Sequence, residues 1–80
     1  MTQRDKYKNC FVEGLSAEIS QITDDLEYNG IPEWDSIGHM SLISSLEETF
    51  DIQIETDDVI DFSSFQKGKE IISKYGVKID

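Results

Sequence analysis

The middle of this chain lacks positive charge: residues 9–66 contain no lysine or arginine but fourteen aspartates and glutamates. The seven cations lie toward the two ends, and the net charge is −10. Nucleic-acid binding needs clustered cations that face phosphate, and an anionic membrane would repel such a surface, so we expect neither partner. The acidic middle either steers a basic partner toward the chain or only keeps the protein in solution.

Cysteine, proline and long apolar runs are also scarce. The single cysteine, Cys10, cannot form an internal disulfide and has no metal-ligand spacing around it, so we expect a buried core thiol. No apolar run approaches the length of a membrane span, and the polar N-terminus does not resemble a signal peptide. We therefore expect a cytoplasmic protein. Eighty residues predict a single domain over residues 1–80, which is too small for a deep active-site cleft.

Apolar spacing predicts an all-α fold with three longer helices and one short helix. Helical periodicity covers residues 4–15 and, most clearly, residues 35–50. Thr2 and Asp5 form a candidate capping box for the first helix, and Asp35 is a candidate N-cap for the second. The second helix has an apolar stripe that consists of Ile37, Met40, Ile43, Leu46 and Phe50.

The segments between these helices and the last two helices are less regular. Residues 16–35 form a long loop, and we expect its larger apolar residues to pack across the helices. These residues are Ile19, Ile22, Leu26 and Trp34. The alternating segment 52–55 has no partner strand, so we expect an extended connector with Ile54 turned inward.

A short helix should follow the connector, and a longer one should end the chain. The short helix begins near residues 56–58, and its apolar side is formed by Val59, Ile60 and Phe62. Ser63 and Gln66 have the spacing of a capping box for the last helix, and Gly76 is its candidate stop. We expect four residues of the last helix to face inward: Phe65, Ile71, Ile72 and Tyr75.

Ser36 is the leading candidate for chemistry, because it opens the second helix after the loop that holds the only proline. His39 lies three residues away, which suggests a serine hydrolase. We reject that class, since side chains at this spacing rarely meet productively and no G-x-S-x-G elbow is present. His39 is then a partly exposed helix residue or a polar contact to the loop. Ser36 is either a simple helix-start residue or the acceptor of a phosphodiester, which a helix N-terminus favours.

The acidic run that begins at Asp51 resembles the start of a calcium-binding loop. The required glycine is Thr56 here, and the final bidentate glutamate is Phe62, so this mode of calcium binding is rejected and no metal site is predicted. We expect Asp57 and Asp58 to form part of a solvated face, at a helix start that favours acids.

Around Ser36 the sequence resembles the acyl carrier protein family. The family signature Asp-Ser-Leu stands here as Asp35-Ser36-Ile37, and the similarity continues through Leu42-Ile43, Leu46-Glu47-Glu48 and Phe50-Asp51. Segment lengths and the acidic charge extend the similarity over nearly the whole chain. The resemblance implies a small four-helix bundle with a long loop between its first two helices.

The resemblance implies a carrier rather than an enzyme. A phosphopantetheinyl transferase with magnesium would attach 4′-phosphopantetheine from coenzyme A to Ser36, and Asp35 would lie near the transferase's metal. The thiol of the arm would carry acyl or aminoacyl groups as thioesters between a loading ligase and downstream transferases with basic docking surfaces. The residues that match partner contacts are Ile37, Met40, Glu47, Glu48 and Ile54. We expect a monomer.

One alternative to this assignment stays open. The chain could be a carrier-like acidic interaction module that is never loaded, and Glu47 and Glu48 could be solvent-facing helix formers only.

The chain also departs from fatty-acid carriers, which usually have acids two and five positions after the serine. Gly38 and Ser41 stand there, and Gly38 weakens the first turn by about 1 kcal/mol relative to alanine. We therefore expect a specialised carrier, similar to those of polysaccharide or secondary-metabolite pathways.

Overall fold

The computed structural model describes residues 2–79, which form four α-helices and one turn of 3-10 helix without any β-strand. The elements are α1 (Gln3–Leu15), the 3-10 turn (Ile19–Gln21), α2 (Ser36–Phe50), α3 (Thr56–Asp61) and α4 (Phe65–Ser73). The prediction of an all-α fold is confirmed. Within the described residues no helix combines the length and apolar character needed to cross a bilayer.

Helices α1 and α2 begin at the caps that the sequence predicts. The Thr2 hydroxyl accepts a hydrogen bond from the Asp5 amide at 3.1 Å, and the Asp5 side chain accepts one from the Thr2 amide. At α2, Asp35 Oδ1 accepts from the Gly38 amide at 2.8 Å. Asp51 ends α2 in the left-handed conformation, with φ 53°. Local hydrogen bonding therefore sets both ends of α2, and with them the position of Ser36.

Aromatic side chains fill the centre of the molecule. The ring of Phe11 contacts Trp34 and Phe65 at centroid separations of 5.4 and 5.0 Å, and all three side chains are buried. The hydroxyl of Tyr7 donates to the Phe65 carbonyl at 2.7 Å. Cys10 is buried as predicted, and burial raises the pKa of its thiol above the ordinary value. These contacts join α1, the long loop and α4 in one core.

The long loop packs across the helices largely as predicted. Ile22, Leu26 and Trp34 are buried, whereas the prediction for Ile19 is wrong, since it lies in the 3-10 turn with 52 % of its surface exposed. Two backbone hydrogen bonds attach the loop to the start of α4. The Tyr28 amide donates to the Ser63 carbonyl, and the Phe65 amide donates to the Leu26 carbonyl, both at 2.9 Å.

The cap of α4 differs by one residue from the prediction. Ser64, not Ser63, accepts from the Lys67 amide, at 3.0 Å through its hydroxyl. The Ser63 carbonyl instead accepts a hydrogen bond from the Tyr28 amide, so the pairing between the loop and this segment sets the residue at which α4 starts. Phe65, Ile71 and Ile72 are buried as expected, and Tyr75 is half-buried. Gly76 follows with φ 89° as the predicted stop.

The short helix α3 presents its side chains differently from the prediction. Phe62 is buried and Val59 half-buried, but Ile60 is 73 % exposed, so it is not part of the inner side. Asp58 is buried rather than solvated, with only 8 % of its surface exposed. A six-residue helix has room for few inward positions, and here one of them is occupied by an acid whose partners lie just beyond the end of α4.

Those partners are Lys74 and Tyr75, the two residues that follow α4. The Lys74 ammonium lies 2.5 Å from Asp58 Oδ1, and the Tyr75 hydroxyl donates to Oδ2. The hydrogen bond from Lys74, followed by that from Tyr75, lowers the pKa of the Asp58 carboxyl below its usual value. Tyr75 also accepts from the Glu55 amide at 3.0 Å. The cluster ties α3 and the connector before it to the end of α4.

Candidate functional site

Ser36 is exposed and stands at the first position of α2. The residue before it, Asp35, has extended backbone and caps the helix through the Gly38 amide, so the chain turns sharply into the helix at the serine. An exposed hydroxyl at this place is open to a modifying enzyme. The positive end of the helix dipole also favours negative charge attached there.

Tyr28 lies beside the serine, although it is eight residues earlier in the long loop. Its hydroxyl is 3.2 Å from Ser36 Oγ, and either group can donate the hydrogen bond. The ring meets Trp34 and His39 edge to face, at centroid separations of 6.1 and 5.6 Å. Tyr28 is not predicted from the sequence, because the contact depends on how the loop folds back and no local spacing signals it.

His39 links the loop to α3 through both of its ring nitrogens. Nδ1 accepts from the Trp34 indole N–H at 2.9 Å, and Nε2 lies 2.8 Å from the Val59 carbonyl oxygen. A carbonyl oxygen only accepts, so Nε2 donates this hydrogen bond while Nδ1 accepts the other. The predicted polar contact to the loop is confirmed, and the contact to α3 is new. Neither nitrogen is directed to Ser36 as a base.

A groove of about 330 Å³ lies between α2 and α3, with Ser36 on its edge. It is lined by Tyr28, Ser36, His39, Met40, Val59, Ile60, Phe62 and Ser63. Its walls are mainly aliphatic and aromatic, and the polar groups are the hydroxyls of two serines and the tyrosine together with the imidazole of His39. The groove therefore offers an apolar shelter directly beside an exposed hydroxyl.

Large apolar side chains are exposed next to the groove. Ile37 and Met40 are 83 % and 57 % exposed and, three residues apart, share one side of α2. Ile60, which is 73 % exposed, stands on the facing wall. A single exposed apolar residue is ordinary, but several around one opening are typical of an interaction site.

The other predicted contact residues lie farther along α2 and behind it. Glu47 is about 16 Å from Ser36 along the helix axis. Its Oε2 accepts from the Ile54 amide at 2.9 Å, so it holds the connector in place. Glu48 is exposed. Ile54 is turned inward as the periodicity predicts and keeps 8 % of its surface exposed, which leaves it little area for a partner.

The structure thus brings some predicted residues together and separates others. Ser36, Asp35, Ile37 and Met40 form one site at the start of α2, whereas Glu47 and Glu48 belong to its far end. Across residues 2–79 no three histidine, cysteine or acidic side chains are grouped so that they could hold a metal ion. Comparison of the chain with protein-family models and with curated proteins gives no match. Any function proposed for this chain therefore depends on the residues around Ser36.

Proposed function

We propose that this chain is a carrier of the acyl carrier protein type, whose Ser36 receives 4′-phosphopantetheine. The observation that supports this most is the exposed Ser36 hydroxyl, at a helix start directly after Asp35 and on the edge of an apolar groove. When bound, the arm supplies a terminal thiol that holds acyl or aminoacyl groups as thioesters. A four-helix-bundle arrangement, a specialised pathway and a cytoplasmic location are parts of the same proposal.

The attachment reaction requires little of the carrier beyond a reachable hydroxyl. Ser36 Oγ bonds to the phosphorus next to the pantetheine of coenzyme A, and the bond from that phosphorus to the adenosine 3′,5′-bisphosphate leaving group breaks. The hydroxyl proton passes to the transferase or to water. Asp35 is exposed beside the serine, so its carboxylate is accessible to the magnesium that the transferase binds.

The surroundings of Ser36 suit such a group. The negative charge of the phosphodiester would lie at the N-terminus of α2, where the dipole favours it. The groove between α2 and α3 begins at the same residue and is lined by side chains that can cover apolar atoms. A groove of this character can cover apolar atoms of the arm or of its cargo.

Partner docking fits the same end of α2. Exposed Ile37 and Met40 supply a small apolar anchor, and the acidic residues of the middle segment attract basic partner surfaces. At the far end of α2, Glu48 is exposed for a second, acidic contact, whereas Glu47 is partly engaged with the Ile54 amide. The proposed partners are the phosphopantetheinyl transferase, a loading ligase and downstream transferases.

Intact-mass measurement tests the attachment. The purified chain is incubated with coenzyme A, magnesium and a transferase of broad specificity. We expect the mass to increase by one phosphopantetheine group and Ser36→Ala to gain nothing. As a matched control, Ser20→Ala removes an exposed hydroxyl from the 3-10 turn and should load like the wild type. A wild-type chain that stays unmodified, or a Ser36→Ala chain that is modified, would contradict the proposal.

A second candidate is a carrier-like interaction module that acts without the arm. The exposed Ile37, Met40 and Ile60 favour it, because an apolar docking patch needs no modified serine. The two functions differ in what Ser36→Ala does in cells that depend on the protein. Loss of the cellular function indicates a loaded carrier, whereas retention of that function indicates the module.

A further inference from the structure

The side chain next to Ser36 is held in a fixed place. The Tyr28 amide donates to the Ser63 carbonyl at 2.9 Å, which attaches this part of the loop to the start of α4. The Tyr28 ring is braced by Trp34, which is fully buried, and by His39, which is hydrogen-bonded on both sides. Tyr28 keeps 36 % of its surface exposed, and these contacts hold its hydroxyl beside Ser36.

We propose that Tyr28 is a positioning residue for the group attached at Ser36, an inference that rests on the proposed function. In the unmodified chain the 3.2 Å contact restrains the serine rotamer and keeps Oγ at the edge of the groove. Attachment removes the serine proton, so afterwards only Tyr28 can donate. The tyrosine O–H then donates to an oxygen of the phosphodiester.

The change of acceptor, from a neutral hydroxyl to a charged phosphodiester, also changes the strength of the hydrogen bond that Tyr28 donates. A hydroxyl that donates to a charged acceptor forms a stronger hydrogen bond than one shared between two neutral hydroxyls. Tyr28 therefore favours the modified state over the unmodified one, and it orients the first atoms of the arm toward the groove that its own ring helps to line. Phenylalanine at this position keeps the ring contacts with Trp34 and His39 and removes only this donor.

The test compares the wild type with Tyr28→Phe and with a second tyrosine variant, Tyr7→Phe. The buried Tyr7 hydroxyl donates to the Phe65 carbonyl and does not line the groove, so its loss controls for a general change in stability. Each chain is incubated with coenzyme A, magnesium and the transferase, and the rate of loading is followed by intact mass. The loaded chains are then examined by phosphorus NMR, which reports the surroundings of the phosphodiester without any enzyme.

We expect Tyr28→Phe to load about 5-fold more slowly than the wild type, because the charge that develops on the phosphoryl oxygens in the transition state loses one hydrogen-bond donor. We also expect its phosphorus resonance to be displaced from that of the loaded wild type, while Tyr7→Phe changes neither quantity. Equal loading rates and equal resonances in Tyr28→Phe and wild type would overturn the inference alone, and so would equal effects in the two variants. A wild type that does not load contradicts the proposed function, and the inference with it.

Discussion

At the scale of single residues, Gly38 has a steric reason to be glycine. A Cβ atom there would lie 2.2 Å from the Glu33 carbonyl oxygen and 3.2 Å from Leu15 Cδ2. The first turn of α2 therefore approaches the loop backbone more closely than any side chain allows. Gly38 cannot be replaced by an acid in this packing, so the absence of a charged side chain two residues after Ser36 follows from how the loop packs.

Gly38→Ala should destabilise the chain even though alanine is the better helix former. The higher helix propensity of alanine stabilises the folded chain by about 1 kcal/mol relative to glycine. Overpacking against backbone costs about 1–3 kcal/mol, so we expect a net loss of up to about 2 kcal/mol in the free energy of unfolding. Urea unfolding measures this, with exposed Ser41→Ala on the same helix as a control that stays within about 0.5 kcal/mol of the wild type. A Gly38→Ala chain as stable as the wild type would show that the loop yields easily.

At the scale of elements, α3 depends on its neighbours. Six residues are too few for a helix that is stable alone. Polar links hold it from two sides: the Val59 carbonyl accepts from His39, and Asp58 binds Lys74 and Tyr75. One wall of the groove consists of α3 residues, so the shape of the groove depends on whether these links are intact.

Acidification should weaken the link through Asp58. Because the fold lowers the pKa of Asp58, its contribution to stability is complete above the unfolded-state pKa of about 3.9 and is lost as the pH falls through the folded value. Asp58→Asn should therefore melt at a lower temperature than the wild type at pH near 7, and the difference should shrink below about pH 4. Thermal melts over this range measure it, and Asp57→Asn, which alters an exposed neighbour, should show little difference throughout.

The helices themselves are the elements that the sequence predicts best. The bounds of α2 follow from local signals, since Asp35 caps its start and Asp51 ends it. The positions that the sequence analysis missed depend on distant partners. The α4 cap moves to Ser64 because the loop pairs with Ser63, and Asp58 is buried because Lys74 and Tyr75 reach it. No periodicity within a short segment contains that information.

The candidate site also has one part that the sequence predicts and another that it does not. Ser36 and its exposure follow from the cap and the helix start, and the sequence alone indicates both. Tyr28 and the groove arise only when a loop of about twenty residues folds back over α2, and the residues that guide it include the buried Trp34. Local patterns therefore identify the attachment point but not the side chain that contacts it.

At the scale of the whole molecule, charge is distributed so that the ends partly neutralise the middle. Arg4, near the start, pairs with Asp24 at 2.9 Å, and Lys74, near the end, pairs with Asp58. The first of these pairs is largely exposed and contributes little by itself. Most acids of the middle have no cation nearby in sequence, so mutual repulsion opposes the compact state.

Added salt should accordingly stabilise the chain. Raising NaCl from about 0.02 to about 0.5 M shortens the Debye length from about 20 to about 4 Å, which screens the repulsion. If screening contributes about 1 kcal/mol, the melting temperature rises by about 4–8 °C. A variant with exposed Glu13→Gln and Glu48→Gln together should show a smaller rise. A melting temperature that falls with salt would mean that the ion pairs outweigh the repulsion.

The hydrogen bond between Trp34 and His39 also makes the intrinsic tryptophan fluorescence sensitive to the groove. Trp34 is the only tryptophan, it is fully buried, and its indole N–H is bonded to a residue of the groove that also holds α3. Any movement of α3 or any occupant of the groove that disturbs His39 changes the polarity around this indole. The fluorescence of the unlabelled chain therefore follows the state of the groove in solution.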